Sequence, residues 1–194
     1  MKKAILIPTI SLFLICLVAT MLLGVANEVT KDKIAQNAIV TEEESRKVVM
    51  ADAASFGEKV EGDYTFDGTA APYSYVEALD ADGKTIGYVF ITKSTGYGGN
   101  ISTMTGIDTE GKVTGVEFLE ISETVGLGMN AQKQSFKDQF VGLIKGIGVN
   151  KNTPAGNEIK ALTGATITSK ATTKGVNTAL DIYENIVKGG ADNG

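Results

Sequence analysis

Histidine is missing from this 194-residue chain, and cysteine occurs once, as Cys16. The first absence removes the commonest general base, the commonest transition-metal ligand and every serine–histidine or cysteine–histidine nucleophile arrangement. The second removes an internal disulfide, a cysteine-ligated iron–sulfur cluster and a zinc ribbon. Neither a catalytic side-chain constellation nor a metal site is expected. Basic charge is scarce as well: 18 Lys and Arg stand against 23 Asp and Glu, and two of the basic residues, Lys2 and Lys3, lie at the extreme N-terminus. The acidic remainder argues against nucleic acid and anionic lipid as partners. Neither the Walker pattern G-x-x-x-x-G-K-[ST] nor a strand-linked G-x-G-x-x-G is present, so a nucleotide triphosphatase and a Rossmann domain are unsupported.

What is present begins with an uncharged run, Ala4 to Asn27, longer than the ~20 apolar residues that cross a bilayer. It reads as a transmembrane helix over 4–27. With Lys2 and Lys3 before it and Glu28 after it, residues 1–3 are expected in the cytoplasm and the rest outside. A cleaved signal peptide is the competing reading, since Gly24-Val25-Ala26 resembles a small-x-small cleavage site, but the run exceeds the ~7 to 15 residues of a signal core. Cys16 lies inside the run and reads as a lipid-facing or helix-packing residue.

The remaining composition, with 43% hydrophobic and 21% charged residues over the whole chain, is that of a globular domain. Residues 28–69 read as a helical stalk and linker. Thr41-x-x-Glu44 has the form of a capping box and predicts a second helix ending near Gly57, and the turn-rich segment Gly62 to Pro72 marks the entrance to a folded domain over 70–194. Two runs of β-formers are each broken by Asp and Gly, at Asp80 to Gly83 and at Asp108 to Gly111, which predicts two hairpins with strands near 74–80, 85–93, 101–107 and 112–121. Phe136 and Phe140, spaced i,i+4, suggest a short helix at about 130–141. A last helix from about Ser169 to Lys188 carries Val176, Ala179, Leu180, Tyr183, Ile186 and Val187 on one stripe. The fold class is α+β, with antiparallel hairpins and flanking helices.

Three polar, glycine-rich loops stand out against this scaffold. Gly96, Tyr97, Gly98 and Gly99 join the hairpins; Glu123, Thr124, Val125, Gly126, Leu127 and Gly128 follow the fourth strand; and Leu162, Thr163, Gly164, Ala165, Thr166, Thr168 and Ser169 lead into the last helix. Each loop alone reads sooner as a tight turn than as a binding loop, but together at the ends of one small sheet they suggest a pocket. A helix N-terminus offers free N–H groups and the positive end of the macrodipole, which suits a phosphorylated ligand.

In this order, behind one apolar span, the segments GYGGN, GIDTEGKVTGVEFLEISETVGLG, FKDQF and LTGATITSKATTKGVN resemble those of the G subunits of Rnf complexes. Rnf complexes are ferredoxin:NAD oxidoreductases that couple electron transfer to ion translocation. The segments are also similar to those of the C subunits of sodium-pumping NADH:quinone oxidoreductases. The resemblance implies FMN attached covalently, through its phosphate, to a threonine in a motif D-x-x-[ST]-G-A-T. Thr163-Gly164-Ala165-Thr166 matches its last four positions, so Thr166 is the implied attachment residue, Thr163, Gly164 and Ala165 the recognition of and approach to the phosphate, with Thr168 and Ser169 placed to cap the helix start or to bond the phosphate. Lys160 stands where the motif has Asp, and a lysine beside a phosphate is electrostatically reasonable. The loop Glu123 to Gly128 is implied to lie against the isoalloxazine ring, with Val125 where the family usually has Pro.

The resemblance further implies an electron carrier between ferredoxin and NAD branches, coupled to Na+ or H+ translocation. It would work with neighbouring membrane subunits, be matured by a flavin transferase, and have no complete turnover alone. Two other readings stay open: a stand-alone membrane-anchored flavoprotein reductase at the outer face, and a non-redox tethered assembly module whose TGAT segment only starts a helix.

Overall fold

The computed structural model describes residues 2–66 and 69–189. The first element is one helix, α1 (Lys2–Val49). Its N-terminal part includes a stretch with a mean hydropathy of 2.5 and none of its residues buried, long and apolar enough to cross a membrane. Met1 lies outside the described residues. The capping-box expectation fails, because residues 41–44 are helical and the helix runs on to Val49 without a second start. No glycine or proline interrupts residues 28–49, and Arg46 bonds Glu42 one turn back, so an intact helix satisfies the backbone that a cap would otherwise serve.

From Glu42 on, the described residues form a compact unit built on an antiparallel sheet. Its strands are β1 (Ser55–Phe56), β2 (Val60–Phe66), β3 (Thr69–Leu79), β4 (Thr85–Thr95), β5 (Asn100–Asp108) and β6 (Val113–Ile121), ordered β1-β3-β4-β5-β6 with β2 also on β3. The hairpin β3–β4 turns where Asp80 Oδ1 accepts the N–H groups of Asp82 and Lys84, both at 2.9 Å. Asp108 Oδ1 repeats the arrangement with Glu110 and Lys112. The four predicted strands are found, each within a few residues of its expected limits.

The segment read as a domain entrance is instead largely β2 and the start of β3, paired from Val60↔Tyr75 to Phe66↔Thr69; residues 67–68 lie outside the described residues. Tyr73 explains how a glycine survives there: its ring lies 3.0 Å from where a Gly62 Cβ would sit, so the aromatic ring covers the exposed backbone. Pro72 is tolerated because the β4 register begins only at Tyr73, so no β4 partner needs its missing N–H.

Beyond β6 the expected helix at 130–141 is broken into 3₁₀ turns, Gly128–Gln132 and Asp138–Phe140, around a single α turn, α2 (Gln134–Lys137). Phe136 and Phe140 still meet edge to face at 5.6 Å in the core. Two three-residue strands, β7 (Gly148–Asn150) and β8 (Glu158–Lys160), pair in parallel and lead into α3 (Thr166–Ile182), which continues as a π-helical turn, Tyr183–Lys188.

Alternation along the strands makes two cores. Val89 and Met104 join Val49, Met50, Val76 and Ala78, while Phe90, Ile101, Ile107 and Phe118 pack with Val176, Ala179, Leu180, Ile182 and Tyr183 of α3 and its continuation. The predicted stripe therefore faces the sheet, with Val187 at its edge; the Ile186 side chain lies outside the described residues. Gly175 lets α3 approach closely, since a Cβ there would sit 3.2 Å from Thr103 Oγ1, and Thr92 donates to the Gly175 carbonyl at 2.9 Å.

Candidate cofactor-binding site

At the ends of β4, β5 and β6, the three glycine-rich loops and the start of α3 surround a cavity of about 600 Å³. That volume falls within the ~300–1,000 Å³ usual for small-molecule and cofactor sites. Its lining comprises Tyr97, Glu123, Thr124, Leu127, Gly128, Gly164, Ala165, Thr166, Ile167 and Thr168.

Glu123 ties the loops together. Buried at 8% exposure, it accepts the backbone N–H of Tyr97 at 2.8 Å and of Gly98 at 3.2 Å through Oε1, and the Thr168 hydroxyl at 3.0 Å through Oε2. Three charge-assisted hydrogen bonds thus join the first loop, the second loop and the first turn of α3. The glycines make room for this fastening. A Cβ on Gly96 would lie 2.1 Å from Glu123 Oε1, one on Gly98 2.2 Å from the Ser122 carbonyl oxygen, and one on Gly128 2.7 Å from Thr168 Oγ1. Gly126 and Gly164 have φ of 80° and 74°, a region that disfavours any side chain.

α3 begins at Thr166, earlier than the expected Ser169, with Ala165 at its cap position and no side-chain cap bond. The first closed helical rung in this turn is Ser169 N–H to Ala165 O at 3.0 Å, so the N–H groups of Thr166, Ile167 and Thr168 have no helical partner. Most hydroxyls of the window are committed elsewhere. Ser169 donates to Ala165 O and accepts the Leu162 N–H; Thr172 and Thr173 donate to Thr168 O and Ser169 O. Thr168 and Ser169 therefore fasten the loop, and the role of helix cap expected of them is not what they perform. Thr166 is half-buried, borders the cavity, and makes no side-chain hydrogen bond among the described residues.

A second space of about 290 Å³ adjoins the first through the shared residues Gly164 and Thr166, and is lined also by Leu162, Thr163, Ala161 and Lys151. Gly96, Gly98, Gly99, Val125, Gly126 and Ser169 line neither space. Gly96, Gly98 and Gly126 shape the loops, Gly99 O accepts the Gly96 N–H at 2.8 Å, and Val125 is 87% exposed. Sequence reasoning missed Ile167, Ala161 and Lys151. Ile167 follows from the helix start once Thr166 is placed at the first helical position; Lys151 is brought in only by the β7–β8 pairing.

The residues fit FMN. The larger space has an apolar rim of Tyr97, Leu127 and Ile167 for a flat ring, and the uncapped helix start with its free hydroxyl suits the phosphate.

Residues 96–181 match the family model of the FMN-binding domain, and residues 1–46 match that of the RnfG N-terminal region. The chain is 35% identical over 190 residues to the G subunit of the Na(+)-translocating ferredoxin:NAD(+) oxidoreductase complex of Acetobacterium woodii, covering 91% of this chain and 90% of that one. It is 33% identical to the G subunit of the proton-translocating ferredoxin:NAD(+) oxidoreductase complex of Clostridium ljungdahlii, with 89% and 88% covered. The fold resembles the crystal structure of the C subunit of the Na(+)-translocating NADH-quinone reductase from Parabacteroides distasonis, with a TM-score of 0.51 at 20% identity over 66% of this chain and 76% of that one. The identity and near-complete coverage of these relatives, with the RnfG N-terminal match, make this chain a member of the RnfG family, with an FMN-binding domain over residues 96–181.

Proposed function

We propose that the chain is the membrane-anchored flavin subunit of an Rnf-type ion-translocating ferredoxin:NAD oxidoreductase, with FMN esterified through its phosphate to Thr166. The observation that carries this reading is the Thr166 hydroxyl. Its neighbours Thr168, Ser169, Thr172 and Thr173 are spent on internal hydrogen bonds, whereas Thr166 stands free at an uncapped helix start, between a ring-sized and a smaller space. The helix N–H groups favour an anion at that point.

FMN, when bound, supplies the one- and two-electron redox chemistry that this chain, without histidine and with a single cysteine in its apolar helix, has no side chains to perform. The protein's own residues bind and orient. For the ester, the Thr166 hydroxyl would supply the oxygen that bonds the phosphate, and a flavin transferase would bring the flavin dinucleotide, take up the hydroxyl proton and release the nucleoside monophosphate as the pyrophosphate P–O bond breaks. Tyr97, Leu127 and Ile167 would offer the ring an apolar contact, and Glu123 holds the loops and the helix start that carry them.

The apolar helix anchors the domain, and Lys2 and Lys3 favour a cytoplasmic N-terminus with the flavin domain on the outer face. Electrons would pass to and from neighbouring membrane subunits between the ferredoxin and NAD branches, with Na+ or H+ moved by the assembly, so the isolated chain is expected to show no turnover.

The test is intact mass with peptide mapping on chain produced in a host that has the flavin transferase. An FMN-sized increment on the Thr166 peptide, lost in Thr166→Ala and kept in Thr163→Ala, supports the assignment. A bare native chain would return the reading to a tethered assembly module.

A further inference from the structure

The 600 Å³ space has no basic residue in its lining. The adjoining 290 Å³ space has one, Lys151, and it also contains Thr163, Gly164 and Thr166. Lys160, which occupies the motif position, lines neither space. Its backbone N–H donates to Gln139 at 2.7 Å, and its side chain is exposed on β8.

The position of Lys151 is built. Asn150 and Lys160 are register partners, and Asn150 O accepts the Ala161 N–H at 2.7 Å, so the chain after β7 runs beside the chain that enters the TGAT turn. The bend is held by Asn150 Oδ1, which accepts the Asn152 N–H, and by Glu158, which accepts from Asn150 Nδ2 and the Ala155 N–H. These hydrogen bonds hold the Glu158 carboxyl below its ordinary range, the bond from Asn150 contributing most. Glu158 is engaged there, and Lys151 makes no ion pair among the described residues.

We infer that Lys151 is the cationic partner of the flavin phosphate, and that the smaller space is a phosphate subsite which makes the site prefer a phosphorylated flavin to riboflavin. The inference rests on the proposed role of Thr166 and adds to it the residue that neutralises the ester. A phosphate at Thr166 would have two sources of positive potential: the uncapped start of α3 and the Lys151 ammonium, which lines the same space. Lysine there acts as a point charge, so arginine should replace it, whereas glutamine should not.

The experiment uses the full chain in detergent at low salt, prepared without the transferase, with FMN and riboflavin as probes and retained flavin read by fluorescence. The native chain should retain FMN several-fold better than riboflavin. Lys151→Gln should lower FMN retention about threefold to fivefold, the scale of a solvent-accessible ion pair, leave riboflavin unchanged and keep the native melting temperature. Lys151→Arg should restore the preference, Lys160→Gln should keep it, and added salt should erase it in the native chain. Equal retention of the two flavins by the native chain, no retention of either, or parallel loss of both in Lys151→Gln would overturn the assignment, as would a loss on Lys160→Gln equal to that on Lys151→Gln. Covalent FMN on the Thr166→Ala chain would instead refute the attachment site, while the FMN–riboflavin comparison would still judge Lys151.

Discussion

The two ends of the β4–β5–β6 meander use carboxylates in opposite ways. At one end Asp80 and Asp108 each accept two N–H groups from residues two and four positions ahead, all at 2.9 Å. At the other end Glu123 accepts from Tyr97, Gly98 and Thr168, which are 26, 25 and 45 positions away. The aspartates close turns that the local chain would nearly close by itself. The glutamate closes a site that exists only after the sheet and α3 have come together. It also does so without a cation: among the described residues no Lys or Arg forms an ion pair with it.

The largest effect is therefore expected at Glu123. Glu123→Ala strands the buried Thr168 hydroxyl and two part-buried backbone donors that water can partly serve, a loss of roughly 2–4 kcal/mol. Flavin loading should fall with it, because Tyr97 and Thr168 lose their common anchor. Thermal melts and intact mass measured on the same preparation would separate the two; unchanged loading in a destabilised chain would show that the loops hold their places without Glu123. Gly98→Ala comes next. The added methyl would meet the Ser122 carbonyl oxygen at 2.2 Å, and neither backbone can yield without disturbing the Glu123 bond to the Gly98 N–H. An overpacking cost of about 1–3 kcal/mol is expected, with partial loss of flavin loading.

The same contrast explains how much of the molecule could be read in its sequence. The Asp–Gly turns, the four strands they join and the α3 stripe depend on neighbours in the chain, and they appear where expected. The motif singled out Thr163 to Thr166, and those residues line the two spaces. β2 was not legible, because Gly62, Asp63 and Pro72 are turn residues by local preference, and only Tyr73 over Gly62 and the late start of the β4 register make a strand there. How the hydroxyls of Thr168, Ser169, Thr172 and Thr173 are used was not legible for a related reason: each is engaged by a backbone carbonyl or by Glu123, partners that only the folded loop and helix supply. Lys151 gave no local signal at all. Three-residue parallel strands carry no periodicity, and it is their pairing that sets Lys151 beside the Thr166 turn.

Asp181 offers an intermediate case, a long-range carboxylate that does have a cation. It accepts the Tyr64 hydroxyl at 2.5 Å, binding α3 to β2, and pairs with Lys145. Burial by itself would push its carboxyl up, but the bonds from Lys145 and Tyr64 outweigh burial and hold it below the ordinary aspartate value of 3.8. A carboxyl depressed in the folded state adds stability that is complete above its ordinary value and is lost as pH falls through the lower folded value. Melting temperatures taken from neutral pH down to about pH 3 should therefore fall more steeply for the native chain than for Asp181→Asn, which starts lower and loses less. Flavin loading should not follow, since Asp181 lines neither space.

The smallest effects belong to the turns, and they should differ from each other. Removing either aspartate frees two exposed N–H groups that water can serve, so Asp80→Ala should cost only about 0.5–1 kcal/mol. Asp108→Ala should cost less, although the local hydrogen bonds are the same. Its turn has a second, distant fastening: the Tyr183 hydroxyl donates to Thr109 O at 2.9 Å, and the Tyr183 ring lies 3.3 Å from where a Gly111 Cβ would sit. At the Asp80 turn the described long-range bond is from the Ala54 N–H to Leu79 O at 2.8 Å, which holds the end of β3 and not the residues of the turn itself. Parallel melts of the two variants should rank Asp80→Ala below Asp108→Ala, and the double variant Asp108→Ala with Tyr183→Phe should lose the advantage. A reversed ranking would mean that the Tyr183 bond holds the helix end to the sheet rather than the turn to the helix. In either case flavin loading should match the native chain, because neither turn touches the loops that Glu123 gathers.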